Sequence, residues 1–142
     1  MTKEKVKAEI ERVLKSYGFK IIQKAKINGY LSLVDNDKLY VWCQCTKEIE
    51  DSISETPKKQ KLMCRFSVSI PPYKWNVNNN IEIAFDYVNG GNSGTTIERI
   101  EDVEERIRRS FRCHNLYSYE ELDALKLPTC EQLDIFDIIG DD

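Results

Sequence analysis

Residues 61–70 read KLMCRFSVSI, with a large apolar side chain or a cysteine at every second position. Successive side chains of a β-strand point to opposite faces, so this pattern predicts a strand with one buried face. Pro71-Pro72 ends the strand, because proline cannot donate a hydrogen bond to a neighbour. Such a strand needs neighbouring strands at its edges and other elements over its apolar face.

Three further extended runs supply the neighbours, at about 19–34, 38–46 and 81–88. Residues 35–37, Asp-Asn-Asp, favour a tight reversal, since short Asx side chains bond their own backbone. Residues 47–60 and 89–96 are polar or rich in glycine and asparagine, which is typical of loops. Short connections make neighbouring strands antiparallel, so the sequence predicts a four-stranded antiparallel sheet.

Two amphipathic segments supply the cover over the apolar face. Residues 3–17 and 98–112 carry apolar side chains at helical spacing, and Gly18 stands where a helix C-cap is expected. With both helices on one face of the sheet, residues 1–115 form an α+β domain. Residues 116–142 are expected to form a short helix, opened by the capping box Ser118-x-x-Glu121, and then an acidic tail.

The net charge of −3 conceals an asymmetry between these two parts. Residues 116–142 carry eight acids and one base, which gives −7, and residues 1–115 carry 20 bases and 16 acids, which gives +4. No run approaches the roughly 18 apolar residues of a membrane span, and the first residues lack the apolar core of a signal peptide. Together with an odd number of cysteines, five, this predicts a cytoplasmic protein that does not contact membranes.

The cysteines and the single histidine are the candidates for a catalytic or metal site. Cys43-x-Cys45, Cys64 and Cys113-His114 contain enough ligands for zinc. Zinc sites usually take their cysteine pairs from C-x2-C turns, however, whereas buried free cysteine behaves as a small hydrophobe. No activated thiol or paired acid and base stands out. The sequence therefore predicts no enzyme activity, no metal and no cofactor.

Two features suggest contact with an anion or with nucleic acid. Arg106, Arg108, Arg109 and Arg112 end the second helix, where cations are also favoured by the helix dipole alone. With Arg65 and the lysines of 20–26 they form a weak basic surface, and aromatic side chains are available to stack on bases. The loop 89–96 stands where a phosphate cradle would stand, but it lacks the lysine of a P-loop. The aromatic side chains that could stack on bases are those of Tyr30, Tyr40, Trp42, Tyr73 and Trp75.

The most specific signal lies in the tail, at residues 132–136, QLDIF. This pentapeptide resembles the Q-L-[S/D]-L-F motif by which bacterial DNA-processing proteins dock on the β sliding clamp. The one departure is Ile135 in place of the fourth-position leucine. The resemblance covers five residues, and it implies that Gln132, Leu133, Asp134, Ile135 and Phe136 contact the clamp. The alternative is that the apolar residues of the tail cover part of the protein's own sheet.

From these features we expect a non-enzymatic accessory or regulatory protein of DNA replication or repair. It would dock on the sliding clamp through residues 132–136, while its body contacts DNA weakly or blocks another clamp client. Abundant isoleucine, lysine and asparagine are typical of an AT-rich genome, such as that of a low-GC bacterium or its phage. Two alternatives stay open: a phage or mobile-element inhibitor that binds a host enzyme directly, and a small module that binds an anionic ligand.

Overall fold

The computed structural model describes residues 1–27, 29–50, 59–88 and 90–127. Three helices and five strands make up its regular structure, and the predicted α+β class is confirmed. The helices are α1 (Lys3–Ser16), α2 (Val103–Cys113) and α3 (Tyr119–Leu125). The strands are β1 (Lys20–Ile22), β2 (Leu39–Glu50), β3 (Lys59–Ser69), β4 (Ile81–Tyr87) and β5 (Asn92–Ile97). No helix among these residues is long and apolar enough to cross a membrane.

The strands form one antiparallel sheet in the order β1-β2-β3-β4-β5. The predicted number of four strands is wrong, because residues 92–97 form a fifth strand instead of a loop. Thr95, Thr96 and Ile97 are β-branched and fit a pleated sheet, opposite the first residues of β4. Gly94 lies directly opposite another small residue, Ala84.

Two predicted boundaries also differ from the structure. The run 19–34 contains only the three residues of β1, followed by two short 3-10 turns. Gly29, with φ of 83°, takes a left-handed conformation that cannot continue a strand. The predicted loop 47–60 is shorter, because β2 continues to Glu50 and β3 begins at Lys59. These two oppositely charged residues face each other across the strands.

The core lies between the sheet and the helices. Phe111 of α2 is central, with ring centroids 5.5 Å from Phe85 and 6.0 Å from Phe66. The core of the described residues runs from Val6 to Leu122, and it includes Leu116 and Tyr117. Helix α3 therefore packs with residues 1–115.

The helix starts follow their local sequence. The predicted capping box is present: Ser118 Oγ accepts from the Glu121 amide at 3.1 Å, and Glu121 Oε1 accepts from the Ser118 amide at 2.9 Å. Thr2 caps α1 in the same way, by accepting from the Lys5 amide. Helix α2 begins at Val103, later than predicted, because a 3-10 turn at Ile100–Asp102 precedes it.

Candidate functional site

The four arginines of α2 divide into two pairs on different sides of the helix. Arg108 and Arg112 face α3, where their guanidinium groups lie 4.8 Å and 5.2 Å from the centre of the Tyr119 ring. Arg106 and Arg109 face β5 instead. Positions three or four apart share a helix face, so the predicted single cluster becomes two surfaces.

Arg108 belongs to the internal structure of the domain. Its Nη1 donates to Asp123 Oδ1 at 2.7 Å and to the Tyr17 hydroxyl at 3.2 Å, and its side chain is only 16% exposed. Burial acts to lower the pKa of Arg108, but these two hydrogen bonds outweigh it and raise the pKa. Arg108 therefore links α1, α2 and α3 and is already engaged by protein groups.

Arg106 and Arg109 line a cavity of about 210 Å³ between α2 and β5. The nearest carboxylate oxygen to Arg109 is that of Glu105 at 4.0 Å, and no ion pair to Arg106 is formed within the described ranges. Two guanidinium groups beside hydroxyls can hold a carboxylate or phosphate by charge-assisted hydrogen bonds. We call this site the arginine pocket; it comprises Arg106, Arg109, Ser93, Thr95 and Ser110.

The glycine-rich segment does not form a phosphate cradle between a strand and a helix. Residues 92–97 pair with β4 as strand β5, and α2 begins only at Val103. Strand β5 is the last strand of the sheet, and no other described segment pairs with its outer edge. The segment predicted as a loop is thus an edge strand that also supplies Ser93 and Thr95 to the arginine pocket.

Three of the five cysteines meet in the core. Cys43 lies opposite Cys64 in the sheet, and the sulfurs of Cys43, Cys45 and Cys64 lie within 4.8 Å of one another. Three thiolates could ligate a soft metal, but forming thiolates in an apolar core is costly. Burial raises the pKa of Cys45 and Cys64 well above the usual value. At Cys45 and Cys64, neutral thiols that pack as small core residues fit these surroundings.

The other members of the suggested zinc set lie elsewhere. Cys113 is exposed beside the arginine pocket. His114 packs on Phe85 and Tyr87, and its Nε2 lies 3.2 Å from Ser93 Oγ. The fold thus separates Cys113 and His114 from the buried cysteines.

Of the five aromatic residues predicted to be available for base stacking, Tyr73 and Trp75 are exposed, and Tyr30, Tyr40 and Trp42 are half-buried. Trp42 stacks on Tyr40 and donates its indole N–H to the Leu31 carbonyl at 2.8 Å, so both are held against the sheet. Tyr73 and Trp75 lie between β3 and β4, 56% and 63% exposed, with ring centroids 5.4 Å apart. Exposed aromatic pairs of this kind are enriched at binding surfaces.

The segment that carries Tyr73 and Trp75 is held by a buried amide that sequence reasoning missed. Asn76 donates to the carbonyls of Pro71 and Asn80, at 3.0 Å and 3.1 Å, and accepts from the Asn80 amide at 2.8 Å. The run 76–80 is rich in asparagine, which has turn propensity, but that propensity does not show which of its amides is buried. The hydrogen bonds of Asn76 therefore fix the backbone of the segment that carries Tyr73 and Trp75.

A groove of about 510 Å³ lies on the sheet face opposite the helices. Arg65 pairs there with Asp86 at 2.9 Å and donates to the carbonyls of Leu31 and Leu33. Its guanidinium also lies 5.1 Å from the centre of the Tyr40 ring. The sequence places Arg65 on a basic surface with the lysines of 20–26. In the structure, the charge of Arg65 is instead compensated by Asp86, and its side chain is held against the sheet.

The clamp-like pentapeptide, Gln132–Phe136, lies outside the described residues. The amide of Leu127, the last residue before the tail, donates to the Ser16 carbonyl at 2.5 Å. Five acids and no base follow in residues 128–142. Leu127 thus lies beside the end of α1.

Comparisons of this chain with protein-family models, curated proteins and solved structures found no match.

Proposed function

We propose that this chain is a non-enzymatic accessory or regulatory protein of bacterial DNA replication or repair that docks on the sliding clamp through Gln132–Phe136. The observation that carries the proposal is the sequence QLDIF at residues 132–136. Its position supports the proposal, because Leu122 is the last buried core residue within the part of the chain that the structure describes. The pentapeptide lies ten residues further along the chain.

The chemistry of the pentapeptide suits a small docking interface. Leu133, Ile135 and Phe136 are apolar anchors of the kind that dominate binding energy in a compact pocket. The Gln132 amide both donates and accepts hydrogen bonds, which gives the peptide a fixed register. Isoleucine in place of leucine at residue 135 moves one methyl group and keeps the apolar volume.

The body then supplies a second contact. Tyr73 and Trp75 present an exposed aromatic pair, and Arg106 and Arg109 present two cations at a pocket. As a second proposal, we infer that the arginine pocket lets the body bind DNA weakly, or bind another anionic partner. Recruitment by the tail would place these surfaces near DNA and near other clamp clients.

A peptide binding experiment tests the clamp proposal. A synthetic peptide of residues 127–142 is expected to bind purified bacterial sliding clamp at micromolar strength, roughly −8 kcal/mol. Gln132→Ala, or Leu133→Ala with Phe136→Ala, removes anchors and is expected to abolish binding by calorimetry or fluorescence anisotropy. Asp141→Asn with Asp142→Asn is the control, because it changes the charge outside the pentapeptide. Undiminished binding by the Leu133/Phe136 double variant would refute the proposal.

A further inference from the structure

A row of small side chains crosses the open face of the sheet and forms the floor of the groove of about 510 Å³. Ser67 of β3 lies opposite Ala84 of β4, and Ala84 lies opposite Gly94 of β5. On the other side of β3, Tyr40 lies opposite Ser67 and ends the row with a large ring. Adjacent strands are about 4.8 Å apart, so the floor from Gly94 to Tyr40 is about 14 Å long. The groove can therefore hold a small organic molecule.

The side chains two residues along each strand form the walls of the groove, because they point to the same face as the floor. Arg65 and Asp86 form one wall, where they pair at 2.9 Å. Glu82 belongs to the opposite wall, and a Cβ atom at Gly94 would lie 3.6 Å from its carboxylate. The carboxylate of Glu82 thus lies over the floor, next to the glycine.

Glu82 gives the groove an uncompensated negative charge. The two cations that line the groove each have a carboxylate partner there. Arg65 pairs with Asp86 at 2.9 Å, and Lys38 pairs with Asp35 at 3.5 Å. Glu82 forms no ion pair with any residue that the structure describes. Three carboxylates against two cations leave a net charge of −1, so the groove attracts cations and repels anions.

The hydroxyl of Ser67 supplies a second polar group, in the floor itself. Ser67 is only 5% exposed and lines the groove, but its hydroxyl forms no hydrogen bond with another residue of the described ranges. A buried hydroxyl ordinarily has a partner, because leaving it without one costs free energy. Every fully enclosed polar side-chain atom among the described residues does have a partner, so the Ser67 hydroxyl opens into the groove. There it can accept a hydrogen bond from a bound donor.

The end of the groove beside β2 is apolar. Leu33 and Val34 line this end, and both side chains are exposed. The ring of Tyr40 is fixed next to them, because its hydroxyl accepts from the Asp35 amide at 2.8 Å and the ring stacks on Trp42. Apolar surface beside a few placed polar groups is typical of small-molecule sites.

We propose that the groove binds a small organic cation, with its charged head held by Glu82 and Ser67 and its apolar body against Tyr40. An ammonium or guanidinium head would donate charge-assisted hydrogen bonds to the carboxylate of Glu82. The site is separate from the arginine pocket, which lies on the helix side of the sheet and favours anions. The inference does not depend on docking to the sliding clamp.

Titration of the full-length protein, followed by the chemical shifts of backbone amides in NMR spectra, tests the proposal. Phenylbutylamine is the probe, because it joins an ammonium head to an apolar body. A molecule of this size should bind at about millimolar strength or tighter, with shifts centred on Ser67, Ala84 and Gly94. Phenylbutanol and phenylbutyrate carry a neutral and a negative head on the same body. Both should bind about tenfold more weakly, because they lose the charge-assisted bond to Glu82.

Substitutions in the groove test the role of each residue. Glu82→Gln keeps the volume and removes the charge, so it should weaken amine binding about tenfold. Glu101→Gln is the matched control at an exposed residue outside the groove, and it should change binding less than about twofold. Ser67→Ala should weaken binding about threefold, because one neutral hydrogen bond is lost. Gly94→Val keeps the charge and fills the floor, so it should abolish binding; its Cβ makes only ordinary contacts at 3.6 Å.

Three results would overturn the inference. One is the absence of shifts at the groove residues with about 10 mM phenylbutylamine. The second is equal binding of the amine, the alcohol and the carboxylate, which would show that the groove does not select charge. The third is an equal effect of Glu82→Gln and Glu101→Gln. If Gly94→Val does not fold, as judged by circular dichroism, the comparison of the two glutamate variants still decides.

Discussion

Arg108 Nη1 donates to the hydroxyl of Tyr17 at 3.2 Å and so joins α2 to α1 across the helical layer. The Tyr17 hydroxyl in turn donates to Glu104 Oε2 at 3.1 Å. Lys126 Nζ donates to the same carboxylate oxygen at 2.8 Å. One connected set of polar groups therefore spans the three helices. Arg106 and Arg109 do not belong to it.

This arrangement predicts that two neighbouring arginines differ in their contribution to stability. Arg108→Ala is expected to lower the free energy of unfolding by about 1–3 kcal/mol, because it removes the hydrogen bonds of a guanidinium that is only 16% exposed, one of them to the buried Tyr17. Arg109→Ala is its matched control; the side chain is 54% exposed, and a change within about 0.5 kcal/mol is expected. Urea denaturation followed by circular dichroism measures both. Equal losses would show that Arg108 has no structural role beyond that of a surface residue.

The buried cysteines yield a prediction about metal and stability. If Cys43, Cys45 and Cys64 act as neutral core residues, Cys64→Ala should cost roughly 1–3 kcal/mol and the melting temperature should not respond to chelator. Cys113→Ala is the matched control, because that thiol is exposed. Elemental analysis and thermal melting test this. One equivalent of zinc in the wild-type protein, lost in Cys64→Ala, would assign the three thiols to a metal instead.

Tyr117 provides a test at alkaline pH. Burial raises the pKa of Tyr117 to about 12, against the lowering effect of its hydrogen bond with Thr46. Because the folded state holds this proton more tightly, the stabilisation is complete below pH 10 and is lost as pH rises through about 12. Ultraviolet titration of phenolate should show a late component that Tyr117→Phe removes. Persistence of that component in the variant would assign it to another tyrosine.

The sequence predicted the parts of the fold whose pattern is local and strongly periodic. Alternation in 61–70 placed Cys64, Phe66 and Val68 in the core, as observed. The short helix at residue 118 followed from its capping box. Strand β5 was missed because Asn92, Ser93 and Gly94 have turn propensity, and pairing with β4 overrides that propensity.

The candidate sites depend on contacts between residues that are far apart in the sequence, and the spacing of residues along the chain does not reveal such contacts. Helical periodicity can separate Arg106 and Arg109 from Arg108 and Arg112, but it does not show that Tyr17, Asp123 and Tyr119 engage one of these pairs. The cysteine sulfurs meet because β2 and β3 pair Cys43 with Cys64, and this register was not predicted. The burial of Asn76 likewise depends on a specific turn geometry.

DNA binding by the body can be tested with residues that the structure identifies. Removing residues 128–142 takes away five acids while keeping Leu116, Tyr117 and Leu122 in the core. If the arginine pocket contacts phosphates, the shortened chain should retard DNA at about 10 µM in low salt, and more strongly than the full chain. Binding should weaken steeply with salt, because each neutralised phosphate releases counterions.

Charge reversal at the pocket then separates a phosphate contact from a general effect of charge. Arg106→Glu with Arg109→Glu should weaken binding to all DNA sequences alike, since phosphate contacts carry no sequence information. Arg12→Glu with Arg99→Glu changes the net charge equally and should weaken it less, because those two arginines lie outside the pocket and pair with Glu9 and Asp102. Equal weakening by both pairs would mean that net charge alone attracts DNA. If the shortened chain retards neither single- nor double-stranded DNA, the arginine pocket is left for an acidic protein segment.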